Sequence, residues 1–222
     1  MHSEIPKQFI NINDKPVIVY TMEAFQKHPD IDAICVVCIE GWHDILKAYA
    51  RQYNISKLQW VIAGGENGQG SIRNGVYKLE ETFAPDDIVL VHDAIRPMVS
   101  QDIISDCIVK ARKYGSAISC VPCTTAVLGL ENAGETSSGK VVDRSLLGMT
   151  QTPQGFRLKT LGDAHREALE KGITNSVASC TLMVELGKTV HFSLGSETNV
   201  KLTTPADLKI FKALLAIEEN RL

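Results

Sequence analysis

The chain has 222 residues, 44% of them hydrophobic and 22% charged. That length suits one α/β domain with an added element, or at most two small domains, and supplies a sizeable core. A net charge of −3 gives no reason to expect nucleic acid or an anionic membrane as a partner. No apolar run approaches the roughly 20 residues that span a bilayer. Met1-His2-Ser3-Glu4 lacks the apolar core of a signal peptide, so the expected location is the cytoplasm.

Strand and helix patterns alternate along the chain. A proline opens an amphipathic helix over 16–27, and an apolar strand follows over 32–39. Next come a helix over 42–53, a strand over 58–62, a helix over 71–81 and a strand over 88–91. A helix over 101–114 and a strand over 117–121 complete the series. Strands separated by helices of this length predict βαβ units and a parallel sheet with right-handed crossovers. The uninterrupted apolar run 88–91 reads as a central strand covered on both faces.

The pattern breaks between Thr124 and Gly155. A short β-like run over 126–130, a polar stretch over 131–140 and a resumption at Val141-Val142 predict a hairpin arm with a loose tip. A lone hairpin buries no face by itself, so the arm is expected to pack on a second copy. Helices over 158–170 and 176–186, a strand over 189–194 and a last helix over 205–219 follow.

Two Cys-x-x-Cys pairs, Cys35/Cys38 and Cys120/Cys123, invite a zinc or redox reading. Positions three apart on a strand face opposite sides, so Cys35 and Cys38 do not chelate one ion. No helix pattern follows Cys123 to lower a thiol pKa. Buried thiols in a reducing compartment are the expected outcome.

Five segments carry chemistry. Asp93 ends the strand in Val89-Leu90-Val91-His92-Asp93-Ala94-Ile95-Arg96-Pro97, and ligands of open α/β sheets sit beyond the carboxyl ends of strands. Asp93 is therefore placed to hold a divalent metal. Gly64-Gly65-Glu66-Asn67-Gly68-Gln69-Gly70-Ser71 joins a strand to a helix. It is either a ligand cradle at a helix N-terminus, with Ser71 as cap, or a plain flexible turn. Its glycine spacing does not meet the dinucleotide fingerprint, which argues against a Rossmann dehydrogenase. Lys7 is either a phosphate contact or a solvated surface lysine. Asp143-Arg144 and Asn199-Val200-Lys201 carry further charges near turns.

Together these stretches, with Pro6-Lys7-Gln8 and Gln151-Thr152-Pro153-Gln154, resemble the polyol-phosphate cytidylyltransferases. That family includes the 2-C-methyl-D-erythritol 4-phosphate and ribitol-5-phosphate enzymes. The resemblance runs from end to end in the family's order. It implies a single Rossmann-like α/β nucleotidyltransferase domain over 1–222, with a mostly parallel sheet, flanking helices and a protruding dimerisation arm near 124–155.

The resemblance also implies roles. Lys7 would contact the CTP phosphates, and Gly64, Gly65, Glu66 and Ser71 would form the nucleotide pocket. Asp93 would serve both Mg2+ and the nucleotide. Arg144, Thr152 and Lys201 would hold the phosphate of the acceptor, with Arg144 serving the other subunit of a homodimer. Lys7, Asp93, Arg144 and Lys201 form the expected catalytic set.

Two departures from the family pattern stand out. Met1 to Lys7 align with the end of the family's glycine-rich loop, so its first strand and loop are expected to lie upstream. A non-catalytic nucleotide-binding homologue is the alternative. Thr125-Ala126 replaces the usual Asp-Thr pair, which leaves the acceptor open between D-ribitol 5-phosphate and 2-C-methyl-D-erythritol 4-phosphate.

Overall fold

The computed structural model describes residues 5–219. The chain enters through a 3-10 turn, Lys7–Phe9, then a hairpin of β1 (Asn11–Ile12) and β2 (Lys15–Pro16). Asn13 and Asp14 at its tip have φ of 48° and 61°, a region that short polar side chains enter more readily than most. Pro16 then caps helix α1 (Val17–Lys27). Its fixed φ and missing N–H cost nothing at a helix start.

The expected alternation follows: β3 (Ile34–Cys38), α2 (His43–Gln52), β4 (Leu58–Ala63), α3 (Gly68–Glu80), β5 (Ile88–Val91), α4 (Gln101–Tyr114) and β6 (Ser116–Pro122). Helix α4 shows how local chemistry sets its limits. Ser100 Oγ accepts from Ile103 N at the start, and Gly115, at φ 81°, ends it. The arm is an antiparallel pair, β7 (Val127–Gly129) and β8 (Lys140–Val142). Then come β9 (Gly148–Arg157), α5 (Leu158–Glu170), α6 (Ser179–Glu185), β10 (Phe192–Leu194) and α7 (Pro205–Glu219).

The α/β class is as expected, and its pairings are mixed. The larger sheet has the order β10-β6-β9-β5. Strands β10 and β6 are parallel, while β9 runs antiparallel to both β6 and β5. Strands β3 and β4 form a separate parallel pair. Two features depart from the sequence reading. Strand β9 goes unannounced in the sequence, because Gln151, Thr152 and Pro153 break both alternation and apolar continuity. Strand β5, expected at the centre, is an edge of the four-stranded sheet, and all four of its apolar residues are only half-buried. Among the described residues no strand pairs with β5 on its second edge.

Three apolar clusters position the parts that matter. Ile118 and Phe156 of the sheet pack under Leu158, Leu161 and Leu182 from α5 and α6. Phe9, Ile18, Val19, Met22, Cys38 and Leu46 bind the entry turn to α1, β3 and α2. Ile12, Val17, Leu202 and Phe211 fix α7 and the segment just after Lys201 against the entry hairpin. No helix among the described residues is long and apolar enough to cross a membrane.

Candidate active site

Asp93 lies just past the end of β5, and its backbone and side chain are both held. Its N–H donates to Thr152 Oγ1 at 3.0 Å. One carboxylate oxygen, Oδ2, accepts from Arg96 Nε at 3.1 Å, and the other, Oδ1, lies 3.2 Å from Lys201 Nζ. Arg96 is well covered, whereas Lys201 is about half exposed. Arg96 also donates through Nη1 to Asn199 O at 2.6 Å. One guanidinium thus ties the end of β5 to the loop that carries Lys201. Next door, the His92 ring packs edge-on against Phe25, and its Nε2 donates to Arg96 O at 3.1 Å. His92 Nδ1 is buried without a partner among the described residues, and burial pushes this imidazole down to about 4.

Strand β9 supplies the floor. Its Thr152–Pro153 peptide is cis, and Thr152 is buried. Asn199, fully buried, donates through Nδ2 to Thr152 O at 2.9 Å. Gln151 clamps the backbone of Ser196 from both sides: Nε2 donates to Ser196 O at 2.8 Å, and Oε1 accepts from Ser196 N at 3.1 Å. Leu202 N donates to Ile95 O at 2.9 Å. The loop 195–202 is therefore anchored at both ends, with Lys201 projecting from it.

The glycine stretch joins β4 to α3. The helix starts at Gly68, three residues before Ser71, so Ser71 is not its cap. Asn67 is: its Oδ1 accepts from Gly70 N at 2.9 Å. Ser71 Oγ instead accepts from Gly65 N at 3.0 Å and folds the loop back on the helix. That closure demands glycine at 65. A Cβ there would lie 2.4 Å from Gly70 C and 2.7 Å from Ser71 N. Gly64 is spliced to β3 by its N–H to Cys38 O at 3.1 Å. Glu66 is exposed at the tip.

Two residues that sequence reasoning left without a role hold this loop. Gln69, buried, donates to Ile173 O at 2.7 Å and accepts from Ser176 N at 2.7 Å. Asn67 Nδ2 donates to Thr174 O at 2.9 Å. The connection between α5 and α6 thus buttresses the start of α3. A buried glutamine with two backbone partners has no sequence signature.

Asp93, Thr152 and Lys201 come together directly. Gly64, Gly65 and Ser71 gather at the carboxyl ends of β3 and β4. Lys7 is on the entry turn, which Phe9 fixes by stacking on Trp42 at 4.4 Å. The cluster holding Phe9 also includes Cys38 at the end of β3 and Ala94 beside Asp93. Arg144 stands elsewhere. It is exposed on a 3-10 turn after the arm, with its guanidinium on Thr124 O, and shares no hydrogen bond with the Asp93 group among the described residues. No group of three or more His, Cys, Asp or Glu able to hold a metal occurs among the described residues. Asp93 is thus a single carboxylate flanked by cations. Such a site suits an ion that takes its other ligands from phosphates and water, as Mg2+ does.

The comparisons with known proteins agree on one family. Residues 1–217 match IspD, 2-C-methyl-D-erythritol 4-phosphate cytidylyltransferase. A ribitol-5-phosphate cytidylyltransferase of Lacticaseibacillus paracasei is 43% identical over 99% of this chain and 94% of its own length. One from Vibrio parahaemolyticus is 42% identical over 99% and 91%. A 2-C-methyl-D-erythritol 4-phosphate cytidylyltransferase of Syntrophus aciditrophicus is 34% identical over 100% and 93%. Among solved structures, a 4-diphosphocytidyl-2C-methyl-D-erythritol synthase superposes with a TM-score of 0.81 at 28% identity, covering 94% of both chains. The 2-C-methyl-D-erythritol 4-phosphate cytidylyltransferase of Thermus thermophilus superposes at 0.78, also at 28% identity, covering 95% of this chain and 94% of its own. By sequence over nearly its whole length, and by fold, this chain belongs to the IspD family of cytidylyltransferases.

Proposed function

We propose that the chain transfers CMP from CTP to D-ribitol 5-phosphate, releasing pyrophosphate. The observation that carries this reading is the Asp93 group: one carboxylate held between Arg96 and Lys201, above the buried Thr152 hydroxyl. The phosphomonoester oxygen of the acceptor attacks the α-phosphorus of CTP. The bond from that phosphorus to the bridging oxygen breaks, and pyrophosphate leaves with the electron pair. A phosphomonoester has a second pKa of about 6, so the nucleophile is already largely dianionic at neutral pH and needs no general base. The task is to hold two anions together and to stabilise charge as it shifts. Lys201 and Thr152 suit the acceptor phosphate, and Lys7 suits the triphosphate. The Gly64–Ser71 loop suits the base.

Mg2+ belongs to this reading, with Asp93 as its one carboxylate; it supplies charge neutralisation at the triphosphate. Ribitol 5-phosphate is favoured over the methylerythritol phosphate because the ribitol-named relatives are the more similar, at 43% and 42% against 34%. The arm supports a homodimer. Leu128, Val141 and Leu146 are exposed by 58%, 80% and 82% on an element without a core of its own. Arg144, at the base of that arm, would then serve the partner's site. A pyrophosphate-release assay tests the reading. Turnover is expected with CTP, Mg2+ and D-ribitol 5-phosphate together, and at a lower kcat/KM with 2-C-methyl-D-erythritol 4-phosphate. CTP binding without turnover on either acceptor would leave a nucleotide-binding homologue in its place.

A further inference from the structure

The segment 173–180 runs from the end of the α5–α6 connection into the first turn of α6, and both halves of the candidate site hold on to it. On one side stands Gln69, 4% exposed, in the first turn of α3. Its amide donates to Ile173 O and accepts from Ser176 N, each at 2.7 Å. On the other side stands Gln154, 2% exposed, two residues after Thr152 on β9. Its Oε1 accepts from Cys180 N at 2.9 Å, and its Nε2 donates to Gln151 O at 3.2 Å and lies 3.3 Å from Cys180 Sγ. Gln151 in turn clamps Ser196 in the loop of Lys201. Only Val177, Ala178 and Ser179 separate Ser176 from Cys180. A run of hydrogen bonds thus leads from the glycine loop, through a short stretch of backbone, to the loop that carries Lys201.

We propose that the segment 173–180 is a brace shared by the two substrate pockets, with Gln69 the positioning residue on the nucleotide side and Gln154 the positioning residue on the acceptor side. The glycine loop has little stiffness of its own. Gly64, Gly65, Gly68 and Gly70 each lose more backbone freedom on ordering than another residue would. Backbone that must meet a ligand in one geometry then needs fixing from outside. A glutamine suits that task because its amide donates and accepts at once, and its partners here are backbone groups that are costly to leave unpaired. Asn67 adds to the same grip by donating to Thr174 O at 2.9 Å. Each glutamine acts through backbone, Gln69 through the start of α3 and Gln154 through Gln151 and the loop 195–202. Loosening either end of the segment therefore reaches the far pocket as well. The proposal rests on the assignment of the two pockets given above.

Gln69→Met and Gln154→Met keep the side-chain volume and remove these hydrogen bonds. In steady-state kinetics of the full chain with CTP, Mg2+ and D-ribitol 5-phosphate, Gln69→Met should raise KM chiefly for CTP and Gln154→Met chiefly for the acceptor, each by roughly tenfold with kcat little changed. Ile104→Val, in the separate cluster with Phe25 and Val99, should lower Tm and move neither KM, which separates positioning from lost stability. Hydrogen exchange of the unliganded chain is the second readout and needs no substrate. Gln69→Met should speed exchange at Gly65, Gly70 and Ser176 and also at Cys180. Gln154→Met should speed it at Cys180 and Ser196 and also at Ser176. Where a methionine variant does not fold, Gln69→Glu or Gln154→Glu, which keeps the acceptor and loses the donor, repeats both readouts. Exchange effects confined to the substituted side overturn the shared brace. So do unchanged KM values in both variants of a working parent. A parent that releases no pyrophosphate counts against the function proposed above, and exchange then decides the brace by itself.

Discussion

Asp93 Oδ1 and Lys201 Nζ lie 3.2 Å apart, so the carboxylate proposed for the metal and the cation proposed for the acceptor phosphate are partners before any substrate arrives. A bound divalent ion at Asp93 would compete with that pair and free Lys201 for the phosphate.

Lys201→Ala should therefore raise KM for the acceptor and spare CTP. The loss of one charge-assisted contact, about 1.5–3 kcal/mol, predicts a fall in kcat/KM of roughly 10- to 150-fold. Asp93→Asn should depress kcat instead, with the fold retained. The double mutant should lose less than the sum of the two effects, because the partners are in contact. Steady-state kinetics with each substrate varied checks all three, and weakened CTP with an unaffected acceptor in Lys201→Ala would reverse the two ends of the site.

The glycine loop offers a paired comparison. Gly65→Ala forces a Cβ to 2.4 Å from Gly70 C, whereas a Cβ on Gly68 meets nothing within 4 Å. Gly65→Ala should cost about 1–3 kcal/mol and weaken CTP binding. Gly68→Ala should stay within about 1 kcal/mol of the parent. Urea titration and CTP titration of both variants settle the contrast; equal stability of the two would mean that the Gly65–Ser71 closure does not form.

Association should depend on the arm. Val141→Glu with Leu146→Glu places charge on the two most exposed apolar residues of the arm region, and sedimentation should show a shift from dimer to monomer. Arg144→Ala should lower turnover in the intact dimer. A parent chain that sediments as a monomer would leave Arg144 on its own subunit's arm, away from the Asp93 group.

Acid should destabilise the fold through two histidines. Burial holds both His92 and His165 down at about 4, against an ordinary value of 6.5. At His165 the nearby Arg73 pushes the same way and Glu80 opposes. The unfolded chain takes up protons below pH 6.5 while the folded chain does not. The stabilisation is thus complete above that pH and is lost as pH falls towards 4, at about 1.4 kcal/mol per pH unit for each ring. His165, 1% exposed with both ring nitrogens unpaired among the described residues, is the one to replace. His165→Leu should flatten the pH dependence of the urea midpoint between about pH 6.5 and pH 5, and an unchanged slope would assign the acid sensitivity elsewhere.

Much of this is legible in the residues themselves. Pro16, Ser100 and Gly115 mark helix limits through their own backbone chemistry, and Asp93 is found by the abrupt end of an apolar strand. What stays hidden depends on contacts between distant segments. Strand β9 carries Gln151, Thr152 and Pro153 because its residues face a polar loop, so no alternation announces it. Asn199 acts by satisfying Thr152 O, and Arg96 by spanning Asp93 and Asn199; neither act leaves a local pattern. Ser71 has the chemistry of a cap for α3, but Asn67 lies one turn earlier and reaches Gly70 N first. Run 88–91 has the composition of a central strand, and only the pairing among the described residues shows it at an edge.

The clamp of Gln151 on Ser196 has a consequence for how the enzyme could change acceptors over evolutionary time. Lys201 is delivered by backbone that Gln151, Asn199 and Leu202 already hold in place, so only its side chain, paired at rest with Asp93, has to be re-ordered when an anion arrives. A free lysine side chain loses up to ~2 kcal/mol of rotamer entropy on fixation, and an unanchored loop would lose more for each residue. If Lys201 holds the acceptor phosphate as proposed, phosphate recognition is uncoupled from the rest of the acceptor. Substitutions around the polyol carbons can accumulate one at a time without resetting the grip on the phosphate, which is the kind of modularity that lets one scaffold diverge into enzymes for different sugar-alcohol phosphates.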